Sequence, residues 1–419
     1  MNDRDSAERP CDAPSHQAQE WARGRHVLLV LQSDDVGGME THCVDLAGEF
    51  VKCGMRVTAV LPCNLVFDLI ASRMLARGAD VRRIDLDARN GRLAEAMSLN
   101  RFARLLRALR PDIVHLHTGG ATGGLAVIAL ARLASNATVV LTEHDVPREN
   151  PRFYQRFTRW SVDRLLHVLV AVSRRNASLR CERLSSRPRR FVAILNGVPL
   201  RDISASERAQ HRARIRESLG IGLDTVTLGS VVRLEPGKGL ADLLEAFALV
   251  RRERPCELVL VGDGRLRQQL ETLSDELGLT GSVHFAGYQP DPVPYLAAFD
   301  VFVLAVPKGS MSIALLEAMD FGLPAVITFG GPEEAVIPEV TGITSPPANP
   351  PALAQALGRL VDDALLRQRL GAAARQHVGI HFSSRRVARD LLDAYRSRQE
   401  PCAAARLAAS RPPTPYPGA

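Results

Sequence analysis

The chain reads as an α/β protein of two Rossmann-like, doubly wound parallel-sheet domains facing a cleft. Three observations predict this. Short continuous apolar runs alternate with helix-period stretches through one half of the chain, the alternation lapses once, and it then restarts. Runs of that kind, separated by helices, are strands buried on both faces of a parallel sheet. At 419 residues and 46% hydrophobic content, the chain is also too long for one ordinary core.

The elements follow in order. "HVLLVLQ" (26–32) is a strand, "SDDVGG" its turn, and "METHCVDLAGEFVKCG" a helix by apolar spacing. "RVTAVLP", a helix near 65–77, "DVRRIDL", a helix over 93–109, "PDIVHLH", a helix over 125–134, "TVVLTEH" and "VLVAVS" continue the alternation. Near "ILNGVPLRDISASERAQ" turn and polar residues take over, which sets the first domain at 25–197 and the boundary at 197–210. "TVTLGSVVRL", a helix after Gly239, "CELVLVGDG", a helix over 266–277, "SVHFAGY", "VFVLAVP", a helix over 312–321 and "LPAVITF" form the second domain, 210–383. A C-terminal helix is expected over 384–398 within the amphipathic region 350–397. Residues 1–24 lack an apolar core and read as a disordered leader, and the Pro- and Ala-biased 399–419 as a loose tail. Two such sheets in series put their strand carboxyl ends on one cleft.

Composition narrows the class. A net charge of +7 favours anionic partners without choosing among them. Seven scattered cysteines argue against a disulfide framework or structural zinc and point to a reducing cytoplasm. The longest apolar stretches, at 125–130 and 165–172, are far below the roughly 18–20 residues that span a bilayer. Dispersed basic residues without a reader motif disfavour nucleic acid.

Chemistry-bearing residues gather at strand ends. In "VVRLEPGKG", Arg233 and Lys238 bracket a turn after a strand, where a guanidinium fork and an ammonium can hold a diphosphate, although two solvated loop cations would read the same way. Gly239 follows Lys238 where a Walker A loop has Ser or Thr. In "GSMSIALLEAM", Gly309, Ser310 and Ser312 suit a helix start, with Ser312, Ile313 and Ala314 as phosphate donors. Glu317, one to two turns on, is placed to accept bonds from ribose hydroxyls or else decorates the helix.

Gly37 and Gly38 lie in the first strand-to-helix loop, where backbone amides could approach an anion, or simply make a tight turn. "TEHD" puts Glu143, His144 and Asp145 at the cleft edge, with His144 able to bond a sugar hydroxyl. His115 and His117 read better as packed residues. "VGDGRLR" carries Gly262 and Gly264 but lacks the third glycine of a dinucleotide fingerprint. Tyr288 and Gln289 can form a wall against a base. Pro151 opens a helix on which Phe153, Phe157 and Trp160 share a face beside Arg152, Arg156 and Arg159; this suits a membrane interface, or aromatics packed inward with arginines in water.

In combination "GGMETH", "RPDIVHLH", "TEHD", "VAVSRRNA", "ILNGVP", "RLEPGKG", "LVGDG", "FAGY", "MSIALLEAM", "GLPAV" and the run from Gly330 to Glu333 resemble the family 4 glycosyltransferases, from about residue 25 to 395. These are retaining sugar-nucleotide enzymes of the GT-B fold. The resemblance implies that Arg233 and Lys238 grip the donor diphosphate, that Glu317 binds the donor ribose, and that Gly37, Gly38 and His144 approach the diphosphate and the transferred sugar. Arg233, Lys238 and His144 would then carry catalysis, without metal or cofactor, on a nucleotide diphosphate sugar as co-substrate.

The implied reaction moves a hexose-type sugar to a glycan or lipid-linked acceptor in surface polysaccharide synthesis, in the cytoplasm or at the inner face of the membrane. One position departs. Eight residues before Glu317, where the family has its first glutamate, stands Gly309. The competing readings are a nucleotide-sugar-binding partner with weakened turnover, unless Glu333 or Glu334 substitutes for the missing acid, and a GT-B sugar-nucleotide epimerase.

Overall fold

The computed structural model describes residues 16–33, 35–86, 91–119, 124–145, 153–183, 190–309, 311–330 and 333–396. The expected tail, residues 1–15 of the leader, Pro151, Arg152, Ser310 and the side chains of Phe153, Arg156 and Phe157 lie outside them.

Residues of the first lobe form α1 (His16–Ala22), β1 (His26–Gln32), α2 (Gly38–Lys52), β2 (Arg56–Leu61), α3 (Asp68–Ala76), β3 (Asp80–Arg83) and α4 (Arg92–Leu109). The lobe continues with β4 (Ile113–Thr118), α5 (Leu125–Ala134), β5 (Thr138–Glu143), α6 (Phe153–Leu165), β6 (Val168–Ala171), α7 (Arg174–Arg183) and β7 (Phe191–Ala193). All pairings are parallel, in the order β3-β2-β1-β4-β5-β6-β7. Along β1, Val27, Leu29 and Leu31 join the core shared with Phe50 of α2, while Leu28 and Val30 join the opposite core with Phe102 of α4. Successive side chains point to opposite faces and helices cover both, so the strand is apolar throughout.

Residues 205–396 supply α8 (Ala205–Leu219), β8 (Val226–Val231), α9 (Leu240–Glu253), β9 (Cys256–Val261), α10 (Arg267–Glu276), β10 (Val283–Gly287), α11 (Val293–Ala298) and β11 (Val301–Leu304). They end with α12 (Ile313–Asp320), β12 (Ala325–Thr328), β13 (Gly342–Ser345), α13 (Pro350–Asp362), α14 (Ala364–His381) and α15 (Ser384–Arg396). The second sheet is parallel in the order β10-β9-β8-β11-β12-β13. The strand order reverses between β1 and β4 and again between β8 and β11. Ligands of open α/β sheets bind outside the carboxyl ends at such reversals.

Two local expectations are corrected, and the expected C-terminal helix is present as α15. Residues 16–22 of the leader are helical, with Ala18 and Ala22 buried against the first lobe, because short alanines let α1 approach closely. α8 begins inside the expected linker, where the Ser204 hydroxyl accepts the Glu207 N–H at 3.1 Å and starts the helix. α15 returns to the first lobe and buries Val387, Leu391, Leu392 and Tyr395 there. The crossing is narrow: Val198 bonds Phe382 and Ser384 at 2.8 Å each, and a Cβ on Gly197 would lie 2.7 Å from the Phe382 carbonyl. Among the described residues, no helix is long and apolar enough to cross a membrane.

Tyr395 ties α15 down, its hydroxyl 2.6 Å from Nδ1 of buried His115 and its ring 5.8 Å from that of Phe50. Tyr395→Ala should therefore cost about 3–5 kcal/mol and Tyr395→Phe about 1–3 kcal/mol, measured by urea denaturation. An unchanged midpoint for Tyr395→Ala would show that α15 docks by other contacts.

Candidate active site between the lobes

A cleft of about 1930 Å³ separates the two sheets' carboxyl ends. Gly37, Gly38, His144, Arg233, Lys238, Gly262, Tyr288, Ser312, Ile313, Ala314 and Glu317 all line it, so the residues singled out from sequence are brought together.

The second lobe supplies the cations. Gly262 and Gly264 have φ of +138° and +159°, and a Cβ on them would lie 2.0 and 2.5 Å from the carbonyls of Val232 and Leu234. Only glycine allows this approach, and it carries the Arg233–Lys238 turn over the end of β9. Arg233 ion-pairs at 3.5 Å with Asp35 of the first lobe, both side chains more than half exposed. Lys238 is half-buried: burial and Arg233 push its pKa down, against Asp145 and Glu235. Burial raises Asp145, while Lys238 and Arg233 oppose the rise. Asp145 of the first lobe thus faces both cations.

At the head of α12, the Ser312 hydroxyl accepts the Leu315 N–H at 3.3 Å. The N–H groups of Ile313 and Ala314, in the first turn, have no intrahelical acceptor and suit an anion. α2 starts against this helix, since a Cβ on Gly38 would lie 3.3 Å from Ile313 Cγ1. Glu317 is buried, and Nη2 of Arg201 lies 3.0 Å from its Oε1. Burial raises its pKa to about 7, with Arg201 opposing.

His144 belongs to a buried histidine group. Its Nε2 lies 3.1 Å from Nδ1 of His117, and His42 packs edge-on at 5.5 Å. Burial, then His42 and His115, hold His144 well below its ordinary range. A neutral imidazole results, suited to exchange a hydrogen bond with a hydroxyl and unsuited to carry charge at neutral pH.

Several expectations change. The Gly37 N–H donates to Glu40 at 2.7 Å, closing a capping box, and the Gly262 N–H donates to Gly287 at 2.8 Å, so neither amide points at a ligand. Glu143 turns away from the cleft to pair with buried Arg159 and, at 3.1 Å, Arg180, because it and His144 face opposite sides of the sheet. Arg159 is therefore not in water, and Trp160 is exposed under Arg164 at 4.3 Å. Glu334 accepts the backbone N–H groups of Arg174 and Arg175 at 3.0 and 2.8 Å, and Glu333 pairs with Arg175 at 2.8 Å. Both bind the first lobe, and neither is among the residues lining the cleft. Among the described residues, no cluster of metal-ligating side chains occurs.

Asp35, His42, Arg201 and the cleft-facing Asp45 escaped sequence reasoning. Asp35 and Arg201 sit in turn-rich segments without periodicity, and His42 and Asp45 look like ordinary positions of an amphipathic helix.

Residues 36–202 match the family described as Glycosyltransferase Family 4, and residues 211–377 that described as Glycosyl transferases group 1. A 2-deoxystreptamine N-acetyl-D-glucosaminyltransferase of Streptomyces fradiae is 28% identical over 81% of this chain and 86% of its own. A D-inositol 3-phosphate glycosyltransferase of Salinispora tropica is 27% identical over 86% of this chain and 81% of its own. The crystal structure of Anabaena HepE in complex with UDP-glucose has a TM-score of 0.76 at 21% identity, covering 89% of this chain and 99% of that one. A glycosyltransferase from Rickettsia africae also gives 0.76, at 17% identity over 90% and 99%. With family matches on both lobes and two parallel sheets opening on one cleft, the chain belongs to the family 4-like glycosyltransferases of the GT-B fold.

Proposed function

We propose that the protein is a retaining, metal-independent hexosyltransferase that uses a nucleotide diphosphate sugar. The observation that carries this is the convergence of Arg233, Lys238 and the head of α12 on one interlobe cleft. The diphosphate lies between the cations and the helix amides, which hold the charge that develops as it leaves. Glu317 receives the ribose hydroxyls, and Tyr288 flanks the base. The acceptor attacks from the face the diphosphate leaves; the departing phosphate takes its proton, so no protein base is required. His144 orients the sugar as a neutral hydrogen-bonding group.

The acceptor is a glycan or a lipid-linked glycan approaching from the first lobe, with the work done in the cytoplasm or at the inner membrane face in surface polysaccharide synthesis. A thermal-shift panel of nucleoside diphosphates and their sugars, followed by product analysis, tests the reading. A selective shift and a product with retained anomeric configuration are expected, and an inverted product would remove the mechanism. Donor altered without acceptor would indicate an epimerase.

Gly309 favours one second reading, a nucleotide-sugar-binding partner with weakened turnover. Its φ lies outside the left-handed region, and a Cβ would meet Val306 Cγ1 at 3.3 Å, so a side chain fits after a small shift. If a carboxylate there acts mainly in the transition state, Gly309→Glu should raise transfer by two to three decades, for roughly 2.7–4 kcal/mol. A silent native chain rescued by Gly309→Glu would favour the second reading, and an active one unchanged by it would dismiss that reading.

A further inference from the structure

Arg201 follows the crossing between the lobes, and its bonds make it more than a linker residue. Its main-chain N–H donates to Asp320 at 3.0 Å, its Nη2 donates to Oε1 of buried Glu317 at 3.0 Å, and both Arg201 and Glu317 line the interlobe cleft. The contact is one-sided. An arginine and a carboxylate frequently close a fork of two parallel bonds. Here Nη1 is buried without a partner among the described residues, and none of them bonds Glu317 Oε2. A buried N–H left without an acceptor costs stability, and such costs persist where a site has work to do.

Charged groups from three further elements face the same carboxyl: Asp45 on α2, Asp291 in the loop after β10, and Arg73 on α3. Burial raises the Glu317 pKa most, Arg201 opposes it, Asp45 and Asp291 add to the rise, and Arg73 opposes. Asp45 is paired with Arg77 at 2.8 Å, and Arg73 donates to the Pro290 carbonyl at 2.7 Å. Among the described residues, Arg201 is thus the cation bonded to Glu317 itself.

What Glu317 offers a ligand depends on that contact. An ionised carboxylate only accepts hydrogen bonds, and the neighbouring 2′- and 3′-hydroxyls of a ribose can both donate to it. A 2′-deoxyribose has one of these hydroxyls. Resting on the ribose role proposed above for Glu317, we infer that Arg201 is a positioning residue, which occupies Oε1 and leaves Oε2 as an acceptor, so that the site selects ribonucleoside over 2′-deoxyribonucleoside diphosphate sugars.

Isothermal titration of the full chain tests this with UDP, GDP and ADP, each against its 2′-deoxy counterpart, at about pH 6 and about pH 8.5. Both members of a pair carry the same phosphates, so the ratio of their affinities reports the sugar alone. Glu317, raised to about 7, is protonated below that value and ionised above it. For whichever base binds, the native chain is expected to prefer ribose roughly tenfold at the higher pH, as one charge-assisted bond implies, and roughly twofold or less at the lower. Arg201→Gln should cut the ratio at the higher pH to roughly threefold or less while leaving the deoxy member within roughly twofold of its native affinity, which also reports that the variant is folded. Arg201→Lys, which keeps the charge, should retain most of the ratio.

A native ratio that is flat with pH, or a native ratio that survives Arg201→Gln, overturns the inference and leaves the diphosphate site standing. Both members weakened together, by Arg201→Gln and Arg201→Lys alike, would mark a structural residue and overturn it equally. If no nucleoside diphosphate binds the native chain, the donor site itself falls and this inference with it.

Discussion

Arg233→Ala and Lys238→Ala are each expected to remove most of the melting shift that a nucleoside diphosphate produces and to slow any transfer further still. On the proposed donor reading, each cation contributes a charge-assisted bond to phosphate of about 1.5–3 kcal/mol, or one to two decades in affinity. The loss in rate is larger because charge on the leaving diphosphate rises as the glycosidic bond breaks. The unliganded contacts of these cations oppose binding only weakly. Arg233 meets Asp35 at 3.5 Å with both side chains more than half exposed, and such pairs are worth about 0–1 kcal/mol. A phosphate can displace Asp35 at little cost. Melting shifts for both variants equal to those of the native chain would show that the diphosphate lies elsewhere.

Acid is expected to unfold the first lobe steeply below about pH 6.5. His42, His115, His117 and His144 are buried; burial holds His42 at about 4, His115 at about 3 and the other two well below their ordinary range. The unfolded chain takes up protons near pH 6.5 and the folded chain does not. Stability from these groups is fully present above 6.5 and is lost as pH falls toward the folded values, by up to about 1.4 kcal/mol per pH unit for each histidine.

Buried acids act in the opposite sense, Glu317 and Asp45 most strongly. Glu317, raised to about 7, and Asp45, raised to about 6, add stability at low pH that disappears as pH rises through those values. The four histidines outweigh the two large carboxyl shifts, which leaves a net loss on acidification; Glu40, Asp145 and Asp320, also raised by burial, reduce it. Urea denaturation at pH 7.5 and pH 5 measures it, and His42→Gln should flatten the difference. Equal midpoints at the two pH values would mean that the histidine group is hydrated or charged in the folded protein.

Most of the strands were readable because they are short apolar runs of consistent period. "HVLLVLQ" could hardly be anything but a strand covered on both faces, and Val27 and Leu28 do enter opposite cores. The Arg233–Lys238 turn and the head of α12 were readable for a related reason: proline, glycine and a serine cap mark local backbone conformation wherever they occur. What escaped was non-local. β7 and β13 are three and four residues long, too short to show a period, and α15 gives no sign in its own sequence that it docks on the opposite lobe. Glu143 and His144 are adjacent in the chain, yet one joins a buried arginine pair and the other the cleft.

By itself, then, the amino-acid sequence determined the two-sheet architecture and the kinds of group at each strand end, since burial period and backbone preference are local properties. Only the tertiary structure decided which of those groups share a cavity: that Asp35 answers Arg233, that the Gly37 and Gly262 amides are already bonded, and that Glu333 and Glu334 bind the other lobe. Those facts depend on which side of a sheet a residue faces and which strand lies next to which. Both are settled by long-range packing, where the favourable energy of burial far exceeds any local preference.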